Sequence, residues 1–231
     1  TLIGLFGIGQ MPTGEKDPFA LRRHALGVLR MLIEKALPVS LNTLIDAAWE
    51  AEKAVPGVTD HREELRQFFQ DRLRVMLRDA GYTTLEVDAV LALNPGKLDE
   101  LPKRLAAVRA FMALPEAEAL TAANKRIGNI LKKIEGEVPT VVNEALLAED
   151  AEKQLFAAIN DVEPKALQHF AAGEYEQMLA TLAVLRGPVD SFFDNVMVNA
   201  EDPALRATRQ ALLKRLYDVM NKVAEIARLA K

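Results

Sequence analysis

Along most of this chain apolar side chains recur at three- and four-residue spacing, the pattern of helices that bury one stripe. Gly and Pro fall singly between these stretches, as punctuation. Residues 1–16 hold four glycines and Pro12 and read as an irregular connector. Asp17-Pro18 offers an N-cap and a proline for the first helical position, which predicts a helix through Ala36, stopping before Pro38. Ser40 caps an expected second helix to about Ala54, and His61 to Asp79 forms a third, ended by Gly81. Thr83 caps a short helix through Leu93. Asn94-Pro95-Gly96 is a turn and the expected boundary between two regions, 1–96 and 97–231.

Past that boundary the pattern predicts helices over Leu98–Leu114 and Glu116–Ile134, split by Pro115. Ala148–Val162 and Pro164–Ala172 read as one helix broken or kinked at Pro164. Gly173 precedes a helix over Glu174–Arg186, and Gly187-Pro188 turns the chain into Val189–Val198. Asp202-Pro203 repeats the start signal for a final helix to about Leu229. No alternation is long enough for a sheet, and no repeat of fixed period is visible. The expected fold is all-α: a helical support region followed by a multi-helix bundle.

One helix carries two messages. At about 100° per residue, Ile127, Ile130, Leu131 and Ile134 share one arc, the expected buried stripe. Lys125, Arg126, Asn129, Lys132 and Lys133 share the opposite arc, about 120° wide, with no acid among them. Such a face suits a phosphate-rich partner. A lysine-rich solvated surface with no partner accounts for the same periodicity, and the pattern leaves both open.

Charge sharpens this picture. The net charge of the 231-residue chain is only −4, which argues against a general nucleic-acid coat. Its distribution is uneven: residues 97–133 carry 8 basic and 4 acidic side chains, 134–202 carry 3 and 14, and 203–231 carry 7 and 2. Two basic segments bracket an acidic one, so packing them side by side would polarise the fold. Half the residues are hydrophobic, enough for a real core. No apolar run approaches the roughly 18 residues of a membrane span, and no signal peptide is visible. Cysteine is absent, which excludes disulfides, thiolate catalysis and cysteine-ligated zinc. An intracellular, cytoplasmic protein is expected. Beginning at Thr1 directly in hydrophobic sequence, the chain reads as a piece of a longer polypeptide.

Catalytic signals are missing. Gly9 to Lys16 invites comparison with a phosphate-binding loop, but Lys16 follows Glu15 and Asp17 stands where a magnesium-binding Ser or Thr belongs. His24, His61 and His169 lie on separate expected elements without ligand spacing, so no metal site and no catalytic residue is nominated. Arginines on apolar faces need partners. Arg22 shares an arc with Leu26, Leu29 and Ile33. Arg209 shares one with Leu205, Leu212, Leu216 and Met220, which suggests an internal ion pair with Asp190 or Asp194 on the preceding helix. The outer arc of the last helix carries Lys214, Arg215, Asn221, Lys222 and Arg228, further candidates for an anionic partner.

Three runs now carry a resemblance. Phe6-Gly7-Ile8-Gly9-Gln10-Met11-Pro12-Thr13-Gly14-Glu15-Lys16-Asp17-Pro18, Ala122-Ala123-Asn124-Lys125-Arg126-Ile127-Gly128-Asn129 and Val189-Asp190-Ser191-Phe192-Phe193-Asp194-Asn195 resemble the beta subunit of bacterial tetrameric glycyl-tRNA synthetase, in its C-terminal part. The last half is similar to the helical anticodon-binding domain named for Asp-Ala-Leu-Arg, here Asp202-Pro203-Ala204-Leu205-Arg206 with Pro203 inserted. The resemblance implies an alpha₂beta₂ ligase whose alpha subunit makes glycyl-adenylate from glycine and ATP with magnesium, no cofactor being held by this chain. It implies glycine tRNA, the alpha subunit and the remainder of the beta subunit as partners, and no membrane. Residues 97–231 would dock the anticodon arm, and 1–96 would support them. Lys125, Lys132, Lys133, Lys214 and Arg215 would then contact phosphates, which position RNA without reading it. Asn124, Arg126, Asn129 and Arg206 would read bases. The rival expectation is a non-catalytic scaffold for subunit assembly, with no RNA contact.

Overall fold

The computed structural model describes Thr1–Ala230, and within that range the chain is helical with no sheet, only two isolated bridges, Thr13 to Lys16 and Ser40 to Lys97. The all-α expectation holds. Two compact units divide it: residues 1–87 with 94–102, and residues 88–93 with 103–231.

The first unit contains α1 (Leu2–Gly7), α2 (Leu21–Glu34), α3 (Leu41–Glu52), α4 (Arg62–Asp79) and the start of α5 (Thr84–Leu91). Its core is the stripe Leu65, Phe69, Leu73 and Leu77 of α4 against Leu21, Ala25, Leu29 and Leu32 of α2, with Ile3 and Phe6 from α1. The expected connector over 1–16 is therefore partly wrong. Residues 2–7 are helical because Ile3, Phe6 and Gly7 face inward and Thr59 donates both its N–H (2.9 Å) and its hydroxyl (3.0 Å) to the Gly7 carbonyl. Asp17 caps α2 one turn later than expected. Its carboxylate accepts from the N–H of Leu21 and Arg22, and the chain passes through Ala20 at φ 54° before the helix begins. The Arg22 guanidinium finds the Gly14 carbonyl. Thr83 and Glu86 exchange side-chain-to-backbone hydrogen bonds, a reciprocal cap on α5.

The second unit holds most of α6 (Leu101–Met112), then α7 (Ala117–Leu131), α8 (Asp150–Ala171), α9 (Tyr175–Leu182), α10 (Arg186–Asn195) and α11 (Pro203–Met220). α8 packs on α9, α10 and α11, while α7 packs on α10, α11 and a final 3-10 turn, Ile226–Leu229. Three expected breaks are absent or displaced. Pro164 lies inside an unbroken α8, because Leu155, Ile159, Val162 and Ala166 are buried on both sides of it. That packing offsets the roughly 3 kcal/mol an interior proline costs. Gly187-Pro188 falls in the first turn of α10, where a backbone N–H has no helical partner to lose. α11 ends at Met220, not near Leu229, because Asn221 donates to the Tyr217 carbonyl and accepts from Ile226 N–H, closing the helix.

Glu152 and Arg209 lock this unit. One Glu152 oxygen accepts from the N–H of Ala148 and Glu149 (both 2.8 Å) at the start of α8, and the other takes the Arg209 Nε–H from α11. Arg209 Nη1 donates to the Met197 carbonyl at 2.7 Å. The two side chains are 0% and 6% exposed. The expected partners are thus corrected. Asp190 stands one turn from Arg186 at 3.6 Å and Asp194 is exposed, whereas Glu152 already points inward from its capping position.

Arg209→Ala should lower unfolding stability by about 3–5 kcal/mol, since it strands a desolvated carboxylate. Combined with Glu152→Ala the loss should fall well short of additive. Urea denaturation of the two single variants and the double checks both, and additive losses would contradict the coupling. Gly7→Ala should also destabilise, by about 1–3 kcal/mol. Its Cβ would stand 2.5 Å from Val58 Cγ1 and 3.3 Å from the Thr59 carbonyl oxygen. An unchanged denaturation midpoint would refute that crowding.

Candidate nucleic-acid interface

α7 buries Leu120, Ala123, Asn124, Ile127 and Gly128, so its inner stripe lies one turn earlier than the periodicity of its C-terminal half suggests. Gly128 permits a close approach to α11: a Cβ there would come within 3.2 Å of the Tyr217 ring. Partial burial, with the Glu225 and Asp218 carboxylates next in weight, pushes the Tyr217 phenol above its ordinary range, so it stays neutral at pH 7.

The outer face is as expected in its cations. Lys125, Arg126, Asn129, Lys132 and Lys133 are all exposed, the last two just past the helix end. The four cations have no carboxylate within ion-pair distance among the described residues. Elsewhere in this unit cations are mostly engaged: Lys165 with Asp161, Arg186 with Asp190, Lys214 with Asp218, Arg215 with Glu163 and Arg228 with Glu225. The α7 cations retain their full field for an outside partner.

A concavity of about 510 Å³ opens beside them. Lys125, Arg126, Asn129 and Lys133 line it together with Asn199 and Gln210 and the apolar Ala122, Ile130 and Ile134; no carboxylate lines it. Ile130 and Ile134, expected inside, are half-exposed surface of this hollow. Arg126 sits over the Phe193 ring, its guanidinium carbon 4.1 Å from the centroid.

Other candidates are placed differently. Asn124 is fully buried, its amide nitrogen 3.9 Å from Met220 Sδ and its Oδ1 without a partner, so it cannot reach an RNA base. Its spacing of four from Leu120 and three from Ile127 carried that signal. Arg206 is half-buried and donates to the Ala200 carbonyl at 3.0 Å, bracing the turn into α11. Arg215 donates to Glu163 at 2.6 Å and to Asn160 at 2.7 Å, and Lys214 is paired with Asp218, so the last helix spends its positive charge internally. Among the described residues, Lys222 alone of that outer arc is exposed without an ion pair. Sequence reasoning missed Phe193, Asn199 and Gln210. Phe193 reaches Arg126, and Asn199 and Gln210 reach the hollow, through packing of α10 and α11 on α7, which no local spacing encodes. Among the described residues no three His, Asp or Glu side chains are grouped to hold a metal ion, and no helix is long and apolar enough to cross a membrane.

Residues 1–92 match the family model described as glycyl-tRNA synthetase beta subunit, and residues 120–227 match that of the DALR anticodon binding domain. A glycine–tRNA ligase beta subunit from Leptothrix cholodnii is 62% identical over 230 residues, covering 100% of this chain and 32% of the relative. Those of Janthinobacterium sp. and Thiobacillus denitrificans are 58% and 56% identical over 231 residues, covering 100% of this chain and 33% of each relative. The chain therefore spans about one third of the curated relatives it matches. Matched in order by both family models, with relatives of one name along its whole length, the chain belongs to the glycyl-tRNA synthetase beta-subunit family.

Proposed function

We propose that this chain is the tRNA-recognition part of a glycine–tRNA ligase. Residues 97–231 dock the anticodon arm of glycine tRNA on the outer face of α7, and residues 1–96 support them and join the remainder of the beta subunit. Adenylate chemistry, with its ATP and magnesium, belongs to the alpha subunit of the same cytoplasmic assembly. The observation that carries this reading is the run of unpaired cations on α7 beside an acid-free hollow, inside the segment that matches an anticodon-binding domain. A scaffold without RNA contact would leave this charge serving solubility alone, at some cost in self-repulsion.

Lys125, Lys132 and Lys133 are the phosphate contacts. Reversing all three to Glu should leave the melting temperature unchanged, because none touches the core. In the assembled ligase it should weaken tRNA binding about tenfold or more and reduce the salt slope by about two to three, close to one unit per lost phosphate contact. The loss should be similar for cognate tRNA and for anticodon variants, since phosphates carry no sequence information. Wild-type affinity and slope in the triple variant would favour the scaffold. The 231-residue chain alone should show no ATP–pyrophosphate exchange; measurable exchange would move adenylate chemistry into it.

A further inference from the structure

The hollow beside α7 contains more than phosphate binding requires. Phosphate needs cations and N–H donors, yet this hollow also presents amide carbonyl acceptors on three side chains, half-exposed Ile130 and Ile134, and a guanidinium set over an aromatic ring. Building on the proposed docking of RNA here, we infer that the hollow is a subsite for one unstacked nucleobase, stacked on Arg126 and read along its edge by Asn199 and Gln210.

Phe193 lies under the Arg126 guanidinium carbon, 4.1 Å from ring centroid to carbon, and Arg126 is exposed. A guanidinium is planar and weakly hydrated, so its open face stacks on a base as an aromatic ring does. The contact with Phe193 reduces the rotamer freedom that a free arginine would lose on binding. Ile130 and Ile134 supply apolar surface at the same hollow.

Asn199 and Gln210 line the same hollow as the cations, and neither makes a side-chain hydrogen bond among the described residues. Each amide offers a carbonyl acceptor and two N–H donors, the complement of a nucleobase's Watson–Crick edge. Gln210 directly follows Arg209, whose ion pair fixes that turn of α11; Asn199 follows the segment that Arg209 anchors at the Met197 carbonyl. Both readers stand on braced backbone. Arg206 and Asn124 cannot take this role, one bracing the Ala200 turn and the other being buried.

The test uses the assembled ligase, with glycine tRNA and the same tRNA carrying each anticodon base replaced in turn. Arg126→Lys keeps the charge and removes the plane. It should weaken binding of the cognate tRNA about fivefold or more at an unchanged salt slope and melting temperature. Phe193→Leu should act in the same direction by removing the support. Asn199→Ala and Gln210→Ala should shrink the difference between cognate tRNA and at least one anticodon variant about tenfold. If Arg126→Lys binds as the wild type, or if both amide variants preserve every anticodon difference, the subsite is overturned. When that happens while the triple lysine reversal still weakens binding, α7 remains a phosphate-docking face. If the triple reversal also binds normally, the subsite and the docking proposal fall together.

Discussion

The pair formed by Glu152 and Arg209 is the constraint from which the second unit takes its shape. A buried ion pair gains little over a well-packed apolar contact, but losing one member is costly. Here each member has further obligations. Glu152 caps the start of α8 by accepting two backbone N–H groups, and Arg209 holds the Met197 carbonyl of the segment between α10 and α11. One contact therefore sets the start of a 22-residue helix, the position of α11 and the path of the chain toward Asn199. The amide wall of the hollow inherits its position from it.

Around this lock the unit treats its positive charge in two ways. On α8, α10 and α11 lysines and arginines meet carboxylates on the same or a neighbouring helix. On α7 they meet none. Exposed pairs of this kind add little stability, so their main consequence is electrostatic: they silence one surface and leave another with a net field. The unpaired positive charge expected on two basic segments is thus concentrated on α7, with Lys222 the one exposed and unpaired cation of the last helix's outer arc among the described residues.

How much of this was legible in the sequence depends on the range of the interactions involved. Capping is local, and the signals at Thr83 and Asp202 located two helix starts correctly. The outer cations of α7 follow from helical phase alone. Of the break or kink expected at Pro164 the break is absent, because a proline's local penalty is visible in sequence while the burial of Leu155, Ile159 and Ala166 that keeps the helix continuous is not. The partner of Arg209 was misassigned for a similar reason. Its phase announced a buried cation, but the carboxylate that meets it comes from 57 residues upstream. Phe193, Asn199 and Gln210 carry no periodic signature. They become neighbours of α7 only when α10 and α11 have packed. Asn124 was the avoidable error, since its phase matched Leu120 and Ile127.

The two ends of the Glu152 interaction differ greatly in chain separation, and that difference orders their formation. Its capping bonds reach only three and four residues back, a distance the chain closes whenever the first turn of α8 forms. The guanidinium must cross a loop of 57 residues and therefore arrives later. When it does, the carboxylate is already held, with one oxygen occupied and the other aimed outward from the helix start. Closing the long loop then immobilises a single side chain instead of two. A residue that looks like a static strut in the finished fold also serves, during folding, as a preset receptor for α11.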